Sequence, residues 1–427
     1  MRLSRMDKNR KNSMPVVRVF VPAIFISVAA LDSSEAAVLP EDRTDILYHA
    51  YDGGGITIDG PSVLVRKSLG KSLSLTANHY VDSVSSASID VEVHASSYEE
   101  ERTEHSLGVD YLIDRTIVSF GHTVSSENDY EASTGYISIS QDFFGDLSNF
   151  TVGYAQGDDE IFKTGSDVFY AQAKRRNFRL AWSQILTKSW MMVVNFEGVH
   201  DEGYLNNPYR FAIADATPDI EDVPAGCLSS IVHDEDSTEV EVASDTGKGY
   251  CRRTERYPRT RSSAAVALNT SYYLPWRAAL HGEYRKFHDS WDIDAWNVKV
   301  GYTLPVTDHL IFDAAFRYYE QTQAKFFFNV MEHDLSELFF GRDKELAAFN
   351  STSLEFGITY EIPFNNLGFL KKGSINFFYN HFNFEYENFT DLRERDVGEG
   401  EVVPELGEES LYTFDAGVTR FFISIWY

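Results

Sequence analysis

Two cysteines in 427 residues are too few for a disulfide-built scaffold. Beyond residue 36 the chain has no run of 18 apolar residues, which excludes a membrane-spanning helix there. Basic residues are also scarce: 38 Lys and Arg stand against 65 Asp and Glu, a formal charge of −27. Such a balance argues against a nucleic-acid partner. Catalytic signatures are missing too. There is no Gly-x-Ser-x-Gly elbow, His-Glu-x-x-His zinc helix, Walker loop or dinucleotide fingerprint. The Gly53-Gly54-Gly55 run reads as a turn. The expectation is a non-enzyme with no catalytic residue, no dedicated metal site and no cofactor.

What the chain does have begins with an export signal. Arg2, Arg5, Lys8, Arg10, Lys11 and Arg18 precede an apolar run of 13 residues, Val19–Leu31, and Ser34-Glu35-Ala36 offers a small-x-small cleavage site. Residues 1–36 read as a signal peptide and 37–427 as a single domain. Neither cysteine lies near the cleavage site, which excludes a lipid-anchored lipoprotein. Processing would remove six basic and three acidic groups, leaving a charge of about −30.

From Arg43 onward, apolar and polar residues alternate with period two in segments of ten to fourteen residues. Leu107, Val109, Tyr111 and Ile113 oppose Ser106, Gly108 and Asp110. Trp296, Val298, Val300 and Tyr302 oppose Asn297, Lys299 and Thr303, and Leu354, Phe356, Ile358 and Tyr360 oppose Ser353, Glu355 and Thr359. Two stretches alternate less cleanly. Phe and Asn fall on both parities across Ser374–Tyr386, and the register is open between Leu411 and Thr419. Aromatics make up 14% of the chain, with 24 Tyr and 31 Phe, a supply suited to interfacial girdles.

Short turns fall near Gly70-Lys71, Asp114-Arg115, Gly145-Asp146, Thr187-Lys188, Leu274–Trp276 and Pro305–Asp308. Most intervening loops are longer, the largest an extracellular loop spanning about residues 201–258. This asymmetry is that of a transmembrane antiparallel up-and-down β-barrel of the outer-membrane type. With Arg43–Tyr51 as the first strand the count is 16, with 14 as the alternative. The stretch before Arg43 holds no plug domain, which argues against an energised siderophore-type receptor. The final residues, Phe421-Phe422-Ile423-Ser424-Ile425-Trp426-Tyr427, form an aromatic-ended strand. Phe421, Ile423, Ile425 and Tyr427 share its lipid face and are read as the assembly signal for the barrel-assembly machinery.

On the opposite, lumen-facing parity, Arg261, Arg277, Arg285, Lys299 and Arg317 fall on four consecutive strands, with His281, Glu283 and Asp313 interspersed. Such charges either create a transverse field that selects solutes or neutralise one another and rigidify the barrel; both readings stay open. Cys227 and Cys251, 24 positions apart in the longest loop, read as a disulfide staple rather than an exposed redox pair. The acids of that loop, among them Asp215, Asp219, Glu221, Asp222, Asp234, Glu235 and Asp236, read as a solvated surface. They lack the Asp-x-Asp-x-Asp-Gly order of a Ca²⁺ loop.

Five segments carry a family resemblance: residues 51–61 (Tyr51-Asp52-Gly53 to Pro61), 203–210 (Gly203-Tyr204 to Tyr209-Arg210), 255–261 (Glu255-Arg256-Tyr257 to Arg261), 273–280 (Tyr273-Leu274-Pro275 to Leu280) and 342–346 (Arg342-Asp343-Lys344-Glu345-Leu346). Through them the chain resembles an uncharacterised bacterial outer-membrane β-barrel family catalogued as domain of unknown function 3570. The resemblance implies a barrel without assigned activity. Members are often encoded beside a flavin-attaching lipoprotein and a thioredoxin-like protein, which implies a supporting role in an extracytoplasmic redox system. This chain has no flavin-acceptor or haem motif, so redox chemistry would belong to periplasmic partners. Two functions follow: a porin-like passive channel for small solutes or ions, or a non-conducting scaffold. Either sits in a Gram-negative outer membrane among lipids and lipopolysaccharide.

Overall fold

A computed structural model describes residues 38–86, 98–215, 230–233, 239–242, 250–331, 338–364, 368–395 and 404–427. The signal-peptide reading of residues 1–36 lies outside them, as does Cys227. The strands are β1 Arg43–Gly53, β2 Ile56–Leu69, β3 Leu73–Ser86, β4 Tyr98–Ile113, β5 Thr116–Ser126, β6 Tyr130–Phe143 and β7 Ser148–Lys163. They continue with β8 Ser166–Thr187, β9 Trp190–Gly203, β10 Phe211–Asp215, β11 Ser230–His233, β12 Glu239–Val242, β13 Tyr250–Thr254 and β14 Thr260–Tyr273. The last six are β15 Ala279–Asp289, β16 Asp294–Pro305, β17 Leu310–Gln321, β18 Phe349–Pro363, β19 Lys372–Thr390 and β20 Leu411–Trp426.

All but β10 to β13 close into one antiparallel barrel of 16 strands, with β9 beside β14. The seam runs between β1 and β20, from Arg43↔Trp426 to Gly53↔Ala416. Closure is what lipid demands, because an open edge would leave a row of N–H and C=O groups with no partner. Gly70 (φ 76°) and Asp114 (φ 55°) supply the left-handed backbone that tight hairpins need at one end of the barrel. At the other end the connections after β3, β9, β17 and β19 are long, whereas those after β1, β5 and β7 are tight. Gly60 on β2 sits where a Cβ would lie 1.9 Å from the Val81 carbonyl oxygen, so only glycine lets β2 and β3 approach there.

The wall has two zones. In the band nearer the short turns, apolar side chains face out and polar ones face in. Leu107, Val109 and Tyr111 on β4, Val298 and Val300 on β16, and Leu354, Phe356 and Ile358 on β18 are all exposed outward. Toward the long-loop end the pattern reverses. Phe382, Phe384 and Tyr386 of β19 and Tyr412 and Phe414 of β20 face in, while His381, Glu385, Thr413 and Asp415 are exposed outside. This reversal explains the mixed parity of Ser374–Tyr386 and the open register of Leu411–Thr419. A shift between Glu385 and Thr390 adds an irregularity to the β19–β20 ladder.

The reversal has a cause in the loops. Tyr257, Trp291, Ile293, Ala324, Phe326, Phe327, Leu346 and Ala347 from the loop side bury one core with Tyr386, Phe389 and Tyr412. The loops after β9, β15 and β17 thus fold into a cap on the long-loop end. Beneath it the barrel interior is dry enough for aromatic rings; further down it is lined by charge.

Candidate functional site

The cap is held by a buried polar network. Arg210 and Asp343 pair at 2.6 Å with side chains only 3% and 8% exposed. The Glu255 carboxylate accepts the Arg342 backbone N–H at 2.6 Å and the Tyr257 hydroxyl. Asn206 donates to the Glu255 carbonyl at 2.6 Å and accepts from the Tyr257 N–H at 3.2 Å. Tyr209 donates its hydroxyl to Asp129 in the β5–β6 turn and accepts the Thr164 N–H, in the β7–β8 turn, at 2.6 Å. Its neighbour Arg210 meets Asp343 of the β17–β18 loop, which leaves the opposite side of the ring. The strut therefore reaches across the mouth. Three of the five segments that carry the family resemblance, 203–210, 255–261 and 342–346, meet here.

Burial is the main reason that Glu255 is held well above the ordinary carboxylate range; the Asp343 charge adds to it, and Arg210 and the Tyr257 hydrogen bond oppose it. Glu345, half-buried on the underside of the cap, is raised by burial and then by Asp343. Arg342 donates to the carbonyls of Asn329 (2.8 Å) and Thr390 (2.9 Å), with its guanidinium 4.4 Å from the Phe389 ring centroid. Among the described residues no group of three or more His, Cys, Asp or Glu could hold a metal ion.

Below the cap, ion pairs climb the inner wall. Glu197 of β9 takes both Arg179 of β8 (3.2 Å) and Arg285 of β15 (3.4 Å). Glu355 of β18 likewise takes Lys299 of β16 (3.4 Å) and Arg420 of β20 (2.8 Å). Arg175 pairs with Asp201 at 2.8 Å, and His49 with Asp82 at 2.6 Å. Two carboxylates thus each bridge two cations.

The expected lumen set divides. Arg285, Glu283 and His281 alternate inward on β15, Lys299 on β16, and Asp313 and Arg317 on β17. Glu283 accepts from Asn297 at 2.7 Å, and Asp313 accepts from Thr303 at 2.6 Å. His281 sits between Ser271 (3.0 Å) and Thr303 (3.2 Å). Arg261 also faces in, but it is committed to Asp289 at 2.6 Å and lies 4.5 Å from the Trp291 ring centroid, joining wall to cap. Arg277 corrects the sequence reading: it occupies the β14–β15 turn at φ 69°, 61% exposed, and pairs with Asp308 of the next turn at 3.0 Å. A proline-initiated turn took up the residue that strict alternation had assigned to the wall. Sequence reasoning missed Arg175, Arg179, Glu197, Asp201 and Arg420, and it placed Glu355 on the polar parity without counting it among the lumen charges. Their signal was available, since Arg179 alternates with Phe178 and Leu180 just as Arg285 does with Tyr284.

Phe421, Ile423, Ile425 and Tyr427 lie on one parity of the final segment, and Phe421 is 42% exposed outward. The Tyr427 hydroxyl donates to the Arg66 carbonyl at 3.1 Å. Cys251 pairs through its backbone with Ala214 in the β10–β13 ribbon, while its proposed partner Cys227 lies outside the described residues.

Under Arg261 and Glu345 lies a cavity of about 170 Å³, walled by Arg285, Phe287, Asn297 and Tyr319. Arg317, outside the lining itself, stacks its guanidinium 4.9 Å from the centroid of the Tyr319 ring that walls the cavity. From Tyr319 an aromatic ribbon continues through Phe349 (5.6 Å), Phe384 (6.1 Å) and Phe414 (4.5 Å), centroid to centroid.

Solved outer-membrane barrels are similar in fold. The ferric enterobactin receptor PfeA of Pseudomonas aeruginosa is 10% identical, TM-score 0.39, over 82% of this chain and 54% of its own. The chain therefore spans about half the length of that receptor. A FadL homologue of Pseudomonas aeruginosa is 11% identical, TM-score 0.41, over 90% of this chain and 89% of its own. OpdK of the same species, solved with vanillate, is 9% identical, TM-score 0.40, over 91% and 100% respectively. No curated protein matches the sequence. The family model described as a protein of unknown function (DUF3570) matches residues 170–383, half of the chain, and the chain belongs to that family.

Proposed function

We propose that the protein is a porin-like passive channel for small solutes or ions in the bacterial outer membrane. The short-turn end faces the periplasm and the cap faces outward, after export on the N-terminal signal and insertion by the barrel-assembly machinery. The observation that carries this reading is the charged inner wall, in which Glu197 and Glu355 each bridge two cations on different strands. A wall of this kind suits an aqueous path and gives it charge selectivity. Single-channel recording in planar bilayers tests it. Discrete conductance is expected, and a correctly folded barrel that passes no current would sink the proposal.

The cap favours a second reading, a non-conducting scaffold that docks periplasmic or surface redox proteins. Its buried core across the mouth is what an occluded barrel needs. Crosslinked pull-downs separate the two, because a scaffold should return stoichiometric partners and a channel should work alone.

A further inference from the structure

We propose that the cavity beneath the cap is a binding site for a small aromatic carboxylate, one ring bearing one acid group. The inference deepens the channel reading and rests on it for the route by which solute arrives. Volume sets the body of the ligand. About 170 Å³ is the scale of a single six-membered ring, since a cavity of about 150 Å³ holds benzene. Phe287 and Tyr319 wall it beside Ile293 and Ala295, so a flat ring finds aromatic faces to lie against.

Charge sets the head group. Arg317 stacks on Tyr319 and makes no hydrogen bond or ion pair to any described residue, so its donors point to no protein acceptor. Its guanidinium has five N–H donors in a planar fork that matches a carboxylate. Arg285 is 40% exposed and among the described residues pairs only with Glu197, at 3.4 Å, a carboxylate already bonded by Arg179 at 3.2 Å and Asn177 at 2.9 Å. Of the nearby acids, Glu283 accepts from Asn297 and reaches Arg317 through its charge, without a hydrogen bond, and Asp289 is held by Arg261. Glu345 forms part of the roof, and its burial beside Asp343 favours the neutral acid, which does not repel an anion. A ring between Phe287 and Tyr319 therefore places its acid group toward Arg285 of the lining, with Arg317 stacked on Tyr319 as the second guanidinium.

Isothermal titration of the full-length barrel, refolded in detergent, with sodium benzoate is the test. Saturable benzoate binding is expected, with acetate at least about tenfold weaker for want of the buried ring and benzyl alcohol at least about tenfold weaker for want of one charged hydrogen bond. R317A should lose about tenfold in affinity while its heat-shifted migration on gels is unchanged. 2-Naphthoate, a ring too large for the cavity, should bind more weakly than benzoate, and this comparison needs no variant. Absence of saturable benzoate binding, equal binding of acetate, equal binding of naphthoate, or an unaltered folded R317A would each overturn the site. Binding is read without current, so a silent bilayer with intact benzoate binding removes the channel and not the site. A conducting barrel that ignores benzoate does the reverse.

Discussion

Arg210 comes from the β9–β14 loop and Asp343 from the β17–β18 loop, rooted a quarter of the ring apart, and their 2.6 Å contact is buried. Removing one partner of such a pair strands the other charge away from water, at about 3–5 kcal/mol. D343N should therefore loosen the cap while the barrel survives. Limited proteolysis of intact cells checks this: faster cleavage within 204–259 is expected, with the barrel still heat-modifiable. Glu255 makes the same region pH-dependent. Its folded pKa is pushed up to about 7 by burial and then by the Asp343 charge, and that of Glu345 to about 8. A carboxyl raised in this way binds its proton more tightly folded than unfolded. Its contribution is complete below the ordinary carboxylate range and is lost as pH rises through the folded values. Protease resistance of the cap should fall between about pH 4.5 and 8, and E255Q should flatten that slope. The facing groups Arg210, Asp343, Tyr257 and Arg342 are unchanged in that variant.

At the scale of elements, period two was enough to place most wall strands, including Arg43–Tyr51 as the first. Alternation is legible wherever one face meets lipid and the other meets water. It fails on β19 and β20 above the lipid band, where the cap dries the inside and solvent wets the outside. The seam is where one element carries most consequence. The Tyr427 hydroxyl reaches the Arg66 carbonyl, Lys67 lies 4.8 Å from the Tyr427 ring centroid, and Lys372 lies 4.6 Å from that of Trp426. Deleting Trp426 and Tyr427 removes these contacts and the Arg43↔Trp426 pair that begins the seam. Assembly should be impaired, and a normal yield of heat-modifiable barrel in the outer membrane would refute the role of this strand as assembly signal. On β2, G60A should weaken β2–β3 pairing because its Cβ would meet backbone, the Val81 carbonyl. A lowered thermal midpoint of the purified barrel checks it.

For the whole molecule, the question is whether the cap lies in the path of solutes. If it does, D343N should pass more current than the unmodified protein in the same planar bilayer, and equal currents would place the path elsewhere. The shared carboxylates below the cap reach past neighbouring strands, as Glu355 of β18 does to Lys299 of β16 and Arg420 of β20. They fix the lumen wall independently of the cap, so the two can be perturbed separately.

The sequence by itself determined the class of this protein. Strand period, turn spacing and the outward apolar stripes are local properties, and together they point to a closed barrel of the outer-membrane type with about 16 strands. It also marked the segments 203–210, 255–261 and 342–346 as distinctive without revealing that they touch. Only the tertiary structure decided that, because Arg210–Asp343 and the Glu255–Arg342 contact join residues far apart in the chain and no period records such a meeting. The same holds for Arg277, which a turn turned outward to Asp308, and for Arg317, whose lack of an ion pair among the described residues depends on every neighbour around it. Period two tells which side of a wall a residue faces, while folding decides what meets it there.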